Sequence, residues 1–244
     1  MSSQHLEGAM LKIARARHHI LELEQSIEAY RQTKPYSLSH KLTEIKPGDA
    51  VQIKLPEKIP PELSVIAGDV LHNLRSALDH LAYQLALQNG AESISDIYFP
   101  FWRDIATFNS TAKERLKNFS DDVQIFITGL SPYPSGNSLL WALHRLNITD
   151  KHRLLVLVGG VGTMTILQGS ESYGDSHIPN YGVSNPIHNN SLHFNFHVSL
   201  REPEEYIEPV TITLQRMADM VATILNDANA RFFGGNSQSN SGAQ

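Results

Sequence analysis

Gly68-Asp69-Val70-Leu71-His72-Asn73-Leu74-Arg75-Ser76-Ala77-Leu78-Asp79-His80-Leu81-Ala82-Tyr83 is the stretch on which the reading of this chain turns. At about 3.6 residues per turn, Leu71, Leu74, Leu78, Leu81 and Leu85 fall on one apolar stripe. The stretch therefore reads as a helix against a core. Asp69, His72, Asn73, Ser76, Asp79 and His80 gather on the other side, with Arg75 at the edge. A solvated helix face usually carries Lys and Glu. This face carries His, Asn, Asp, Ser and one Arg, the residue types that act at sites.

The composition around it is that of an ordinary globular protein. Of 244 residues, 41% are hydrophobic and 18% charged, enough to build a substantial core. The net charge of −5 excludes a chain that binds nucleic acid by its overall charge, while leaving room for a local basic patch. With no Cys there are no disulfides and no thiolate metal ligands. The opening Met1-Ser2-Ser3-Gln4-His5-Leu6-Glu7 has no basic-then-apolar pattern, and no apolar run nears the roughly 18 residues that span a bilayer. A cytoplasmic protein with no membrane partner is expected.

On the N-terminal side, residues 4–32 read as one long helix, with Leu6, Met10, Ile13, Ile20, Leu23, Ile27 and Tyr30 in a 3-4 spacing that Arg17 interrupts. Its basic segment Ala14-Arg15-Ala16-Arg17-His18-His19 is a solvated face or a phosphate-facing patch. Pro35 closes this helix. Strand-like alternation over 36–45 and 50–55, with the turn Pro47-Gly48-Asp49 between, predicts a β-hairpin. The central helix follows over 62–88 and stops at Asn89-Gly90.

On the C-terminal side, shorter helices are expected over 103–118 and 121–130, with Ser120 as N-cap of the second. Asn137 caps a helix over 138–158. Gly159-Gly160-Val161-Gly162 breaks the pattern, and a strand follows over 163–167. A polar loop covers 169–190. Leu192-His193-Phe194-Asn195-Phe196-His197-Val198 alternates strictly as a strand. An amphipathic helix over 210–233 precedes a Gly/Ser/Asn/Gln tail, 234–244, that reads as disordered. The prediction is an α+β chain, mainly α. Its long helices form a bundle, with a β-hairpin and a small antiparallel sheet packed on one side, in a single globular domain over 1–233. The apolar stripes are wide enough for a homodimer.

A second polar helix segment pairs with the first. Leu143-His144-Arg145-Leu146-Asn147-Ile148-Thr149-Asp150-Lys151-His152-Arg153 sets Arg145 and His152 seven residues apart, nearly in line on one face. His144, Asn147 and Lys151 share the neighbouring face. Buried polar groups need partners, so the polar faces of the two helices are expected to meet. A His beside an Arg suits phosphodiester cleavage. Imidazole moves protons near neutral pH, and guanidinium holds a phosphate and the charge that develops on it. In RNA the 2′-hydroxyl supplies the nucleophile, so neither metal nor protein nucleophile is required, and no cofactor is expected. Arg75 would bind phosphate and His80 would be general acid or base. His72, Asn73 and Asp79 would orient them. His144, Asp150, Lys151 and His152 belong to the second candidate pair, Arg145/His152.

The helical Arg-x4-6-His spacing resembles that of the HEPN superfamily, which includes metal-independent ribonucleases of toxin–antitoxin and phage-defence systems. The resemblance implies a helical-bundle dimer that cuts RNA across a cleft between motif helices, and a partner antitoxin. This chain departs from that pattern by its strands, by having two candidate motifs, and by Ser76 after Arg75. The two long polar stretches together also resemble a bacterial protein family, over most of the chain, in a likeness that brings no activity with it.

Two other readings stay open on the same residues. His72, His80, His144 and His152 with the i,i+4 pairs Arg75–Asp79 and Asp69–Asn73 would form a structural hydrogen-bond network in a non-catalytic binding or interaction module. Alternatively His72, Asp79 and His80, with His144 or Asp150, would supply metal ligands, although no recognised metal spacing is present. His193 and His197 lie roughly 13 Å apart along a strand and do not share an ion. Gly160-x-Gly162 lacks the third glycine of a dinucleotide fingerprint.

Overall fold

The computed structural model describes residues 4–38, 53–91, 97–168, 181–185, 190–201 and 208–234. The chain is mainly helical with small antiparallel sheets, an α+β fold. It divides into two compact units. The first comprises Met1–Leu21, Val65–Leu155 and Leu214–Gln244; the second comprises Glu22–Ser64 and Val156–Thr213.

The first unit is helical. A 3-10 turn, Gln4–Leu6, leads into α1 (Glu7–Gln32). Its buried stripe is Leu6, Ala9, Ile13, Ala16 and Ile20. The expected interruption at Arg17 does not occur, because Ala16 takes the inward position. Arg17 lies outside, 2.9 Å from Asp219 Oδ1 of α6 (Val210–Ala228). In α2 (Pro61–Gln88), Leu71, Leu74, Leu78, Leu81 and Leu85 are all buried, as their spacing requires. Proline at its first position offers no N–H where none would be paired. Its end is a Schellman turn: Gly90 has φ 78°, its N–H donates to Leu87 O at 3.0 Å, and Ala91 N–H donates to Ala86 O at 3.1 Å.

An irregular segment, 97–102, buries Phe99, Phe101 and Trp102. Three helices follow, α3 (Ile105–Arg115), α4 (Asp121–Gly129) and α5 (Ser138–His152). Asn137 caps α5 as expected, its side chain accepting from Leu140 N–H at 3.0 Å. Ser120 precedes α4 in extended conformation but makes no capping bond; the first turn carries Asp121 and Asp122, which suit the positive helix end. Asp104 caps α3 through Thr107 N–H at 2.7 Å.

The second unit holds the end of α1 and the strands. Strand β1 (Ser37–Leu38) pairs antiparallel with β2 (Ile53–Lys54), so the expected hairpin strands meet; the turn at 47–49 lies outside the described residues. Strands β3 (Leu157–Gln168), β4 (Tyr181–Asn185) and β5 (Asn190–Leu200) form an antiparallel sheet in the order β3-β5-β4. Buried Phe196 meets the rings of Tyr30 and Tyr36, at 6.3 and 6.5 Å between centroids.

Three expectations are corrected. The helix expected over 138–158 ends at His152, since Arg153 is extended. Beyond it, Leu155 is buried, Val156 exposed and Leu157 buried, the period of a strand. Gly159 and Gly160 do not break the pattern but lie inside β3, opposite Val198 and His197. A Cβ on Gly160 would lie 2.5 Å from His197 Nε2, and one on Gly159 would lie 2.9 Å from Phe196, so the absent side chains leave room for these rings. The polar stretch expected as loop over 169–190 contains β4; residues 169–180 and 186–189, like the tail from 235, lie outside the described residues.

Candidate functional site

The face of α2 that drew attention in the sequence separates into two clusters, both within the helical unit. Arg75 centres the first. It is 8% exposed and pairs with Asp79 one turn on. Its second terminal nitrogen donates to Phe99 O at 3.0 Å. Phe99 N–H donates to Asp79 Oδ1 at 2.8 Å. Arg75, Asp79 and the Phe99 main chain thus close a ring of charge-assisted hydrogen bonds. The guanidinium carbon also lies 4.9 Å from the centre of the Phe101 ring. Arg115 of α3 grips the same segment, donating to Phe101 O at 2.6 Å and covering the Trp102 ring at 5.1 Å. Two arginines therefore hold an irregular segment by two of its carbonyls, those of Phe99 and Phe101, satisfying backbone groups that no helix or sheet serves.

His144 of α5 belongs to this cluster by stacking. Its ring is parallel to Phe101, 4.1 Å between centroids and 4° between planes, with Trp141 at 5.5 Å. Its Nδ1 is buried without a hydrogen-bond partner among the described residues. Burial, and then the positive charges of Arg75, Lys151 and Arg115, push its pKa down to about 4. His144 is therefore a neutral aromatic plate at pH 7.

The second cluster lies one to two turns earlier, where α2 passes α5. Gly68 sits directly against the carboxylate of Asp150, and a Cβ there would collide with it. Asp69 and His72, both exposed on α2, act electrostatically on that carboxylate. The Asp150 carboxyl is raised above the ordinary range, first by desolvation and then by the Asp69 charge, with His72 pulling the other way. Asn147, one turn earlier on α5, is 3% exposed.

Not all of the sequence candidates are brought together as expected. Arg75 and His80 meet different neighbours: five residues are about 140° of helix rotation. Arg75 faces segment 97–101, whereas the exposed His80 lies along α1, its Nδ1 3.1 Å from where a Cβ on Gly8 would sit. Asn73 does not orient Arg75; its amide donates to the Asp69 carbonyl at 2.8 Å within α2. Asp79 does hold Arg75, as the i,i+4 spacing anticipates. Arg145, Lys151, His152 and Arg153 are exposed. Among the described residues no group of three or more His, Asp or Glu side chains is arranged to hold a metal ion. None of their helices is long and apolar enough to cross a membrane. The sequence reading missed Phe99, Phe101, Arg115 and Gly68. A glycine inside a helix that is otherwise rich in Leu and Ala is a readable sign of close approach; a backbone carbonyl gives no sign at all.

No family model, curated protein or solved structure matches the chain.

Proposed function

We propose that the helical unit is a non-catalytic binding module. Its Arg75 cluster is a structural clamp, and it presents the polar seam of Asp69, His72 and Asp150 to a partner or ligand. The observation that carries this reading is the saturation of Arg75. Its charge faces Asp79, a second nitrogen faces the Phe99 carbonyl, and 8% of its surface meets solvent. A phosphate would have to displace both partners. The test is RNA cleavage by purified protein in excess EDTA, for wild type, His72→Ala, His80→Ala and His152→Ala. No cleavage above buffer by any sample is expected. Cleavage by wild type leaving 2′,3′-cyclic phosphate ends, lost in a variant that still melts normally, would overturn the reading.

One observation favours a second reading, a HEPN-like, metal-independent endoribonuclease. Asp150 is a carboxyl whose pKa is raised by desolvation and by the Asp69 charge, and the His72 imidazole acts on it, the pairing of an acid with a base that such sites use. In that reading His72 takes the proton of the 2′-hydroxyl as its oxygen attacks phosphorus. Protonated Asp150 gives its proton to the departing 5′-oxygen, and Lys151 faces the phosphate. Arg75 stays in the scaffold. A homodimer cleft, an antitoxin partner and a role in phage defence belong to this reading, and His72→Ala in the EDTA assay decides it.

A further inference from the structure

The second unit has an open surface depression of about 370 Å³ where the chain just past α1 meets the β1–β2 ribbon. Lys34, Tyr36 and Ser37 line one side, and Lys54, Pro56 and Glu57 the other. Ser37 and Lys54 are directly paired across the ribbon, so their side chains leave the same face with Cβ atoms about 5 Å apart. Neither Lys34 nor Lys54 makes an ion pair among the described residues. Two exposed lysines and an exposed serine therefore line one depression, with Glu57 the one carboxylate-bearing residue among its described lining residues.

The backbone supplies an independent sign. Lys34 has φ 51°, in the left-handed region just past the end of α1. Helices that end this way usually place Gly or Asn there, because a Cβ is strained. Strained residues collect at ligand clamps, and the inference runs from the outlier to a function. Here the strained residue is one of the two lysines that line the depression. Tyr36 is held as the neutral phenol by burial, so the wall beside Lys34 adds no negative charge at neutral pH.

We propose that this depression binds a phosphate group, held between the Lys34 and Lys54 ammonium groups with the Ser37 hydroxyl donating to it. A compact dianion matches two point-charge cations better than a carboxylate does, and lysine binds phosphate as a point charge. Glu57, at the rim, accepts hydrogen bonds from hydroxyls when the phosphate is esterified. The ligand class is thus inorganic phosphate or a small hydroxylated phosphate monoester.

The test is calorimetric titration of the full chain at low ionic strength with inorganic phosphate and, separately, with glycerol 3-phosphate. Wild type, Lys34→Gly, Lys54→Gln and a control, Lys117→Gln on the helical unit, are compared. Saturable binding by wild type and control is expected, weakened at least tenfold in Lys34→Gly and Lys54→Gln. Lys34→Gly should at the same time melt no lower than wild type, because glycine relieves the left-handed strain. That separation of affinity from stability keeps the result from being a folding defect. Tighter binding of glycerol 3-phosphate than of inorganic phosphate would identify an ester as the ligand, and the reverse order the free ion. No saturable binding by wild type, or binding by Lys34→Gly and Lys54→Gln as tight as by wild type, would overturn the proposal.

Discussion

Two clusters on one helix, within about two turns of each other, have opposite energetic characters. The Arg75 clamp is closed: each charge meets an opposite charge or a carbonyl, and an aromatic plate covers it. The Asp150 seam is open: a carboxyl is partly desolvated beside another carboxyl, with only His72 to relieve it. A closed polar cluster stabilises the fold that surrounds it. An open one is held in place by that fold, at some expense of stability, as groups kept for binding or chemistry usually are.

The contrast is most directly broken at Arg75. Arg75→Met should destabilise the protein by about 3 kcal/mol in urea unfolding, because Asp79 and the Phe99 carbonyl lose their partner. The lower end of the usual range is taken because the Asp79 side chain is 28% exposed. A loss under about 1 kcal/mol would mean that the clamp is not closed in solution.

Next in size is the pH response of His144. Its folded pKa of about 4 lies below its ordinary value of 6.5. The unfolded chain therefore binds more protons between these values, and stability falls as pH drops from 6.5 toward 4. The loss should be roughly 2 kcal/mol once solvent screening is allowed for. His144→Phe should flatten that part of the curve while keeping the stack on Phe101. An unchanged slope would remove His144 from the clamp.

The seam gives effects of either sign. Gly68→Ala should destabilise by roughly 1–2 kcal/mol through collision with Asp150. The double change with Asp150→Ala should recover much of it, and additive losses would show that the two do not touch. Asp150→Asn should be neutral or mildly stabilising at pH 7. The folded Asp150 carboxyl holds its proton more tightly than the unfolded one, so its contribution is favourable at low pH and is lost as pH rises through the folded pKa. A clear destabilisation by Asp150→Asn at pH 7 would make the seam another clamp.

The smallest effect is expected at Asp104, a half-buried capping group that belongs to neither cluster. Its carboxylate is held down to about 2, chiefly by the Thr107 N–H. Asp104→Ala should lower Tm slightly at neutral pH. The difference should fade as pH falls from 3.8 toward 2, where the wild-type cap is itself protonated.

Much of this was legible in the residues. The Leu71–Leu85 stripe fixed α2, and Asn137 marked the start of α5. Arg75–Asp79 was readable as an i,i+4 pair. Its closure was not, because the third member is a main-chain group 24 residues away. The seam was half legible: both polar stretches stood out, but the contact of Gly68 with Asp150 depends on how closely two helices approach. Strand β4 was hidden, since Tyr181-Gly182-Val183-Ser184-Asn185 has little strand character and pairs along an edge of β5.

By itself the sequence determined the helices, the apolar faces and the residue types that had to be accounted for, because periodicity and capping act over a few neighbours. Only the tertiary structure decided which of those polar residues are saturated and which are left open. A hydrogen bond or a desolvated charge is defined by groups brought close from distant parts of the chain, and local spacing does not encode that proximity.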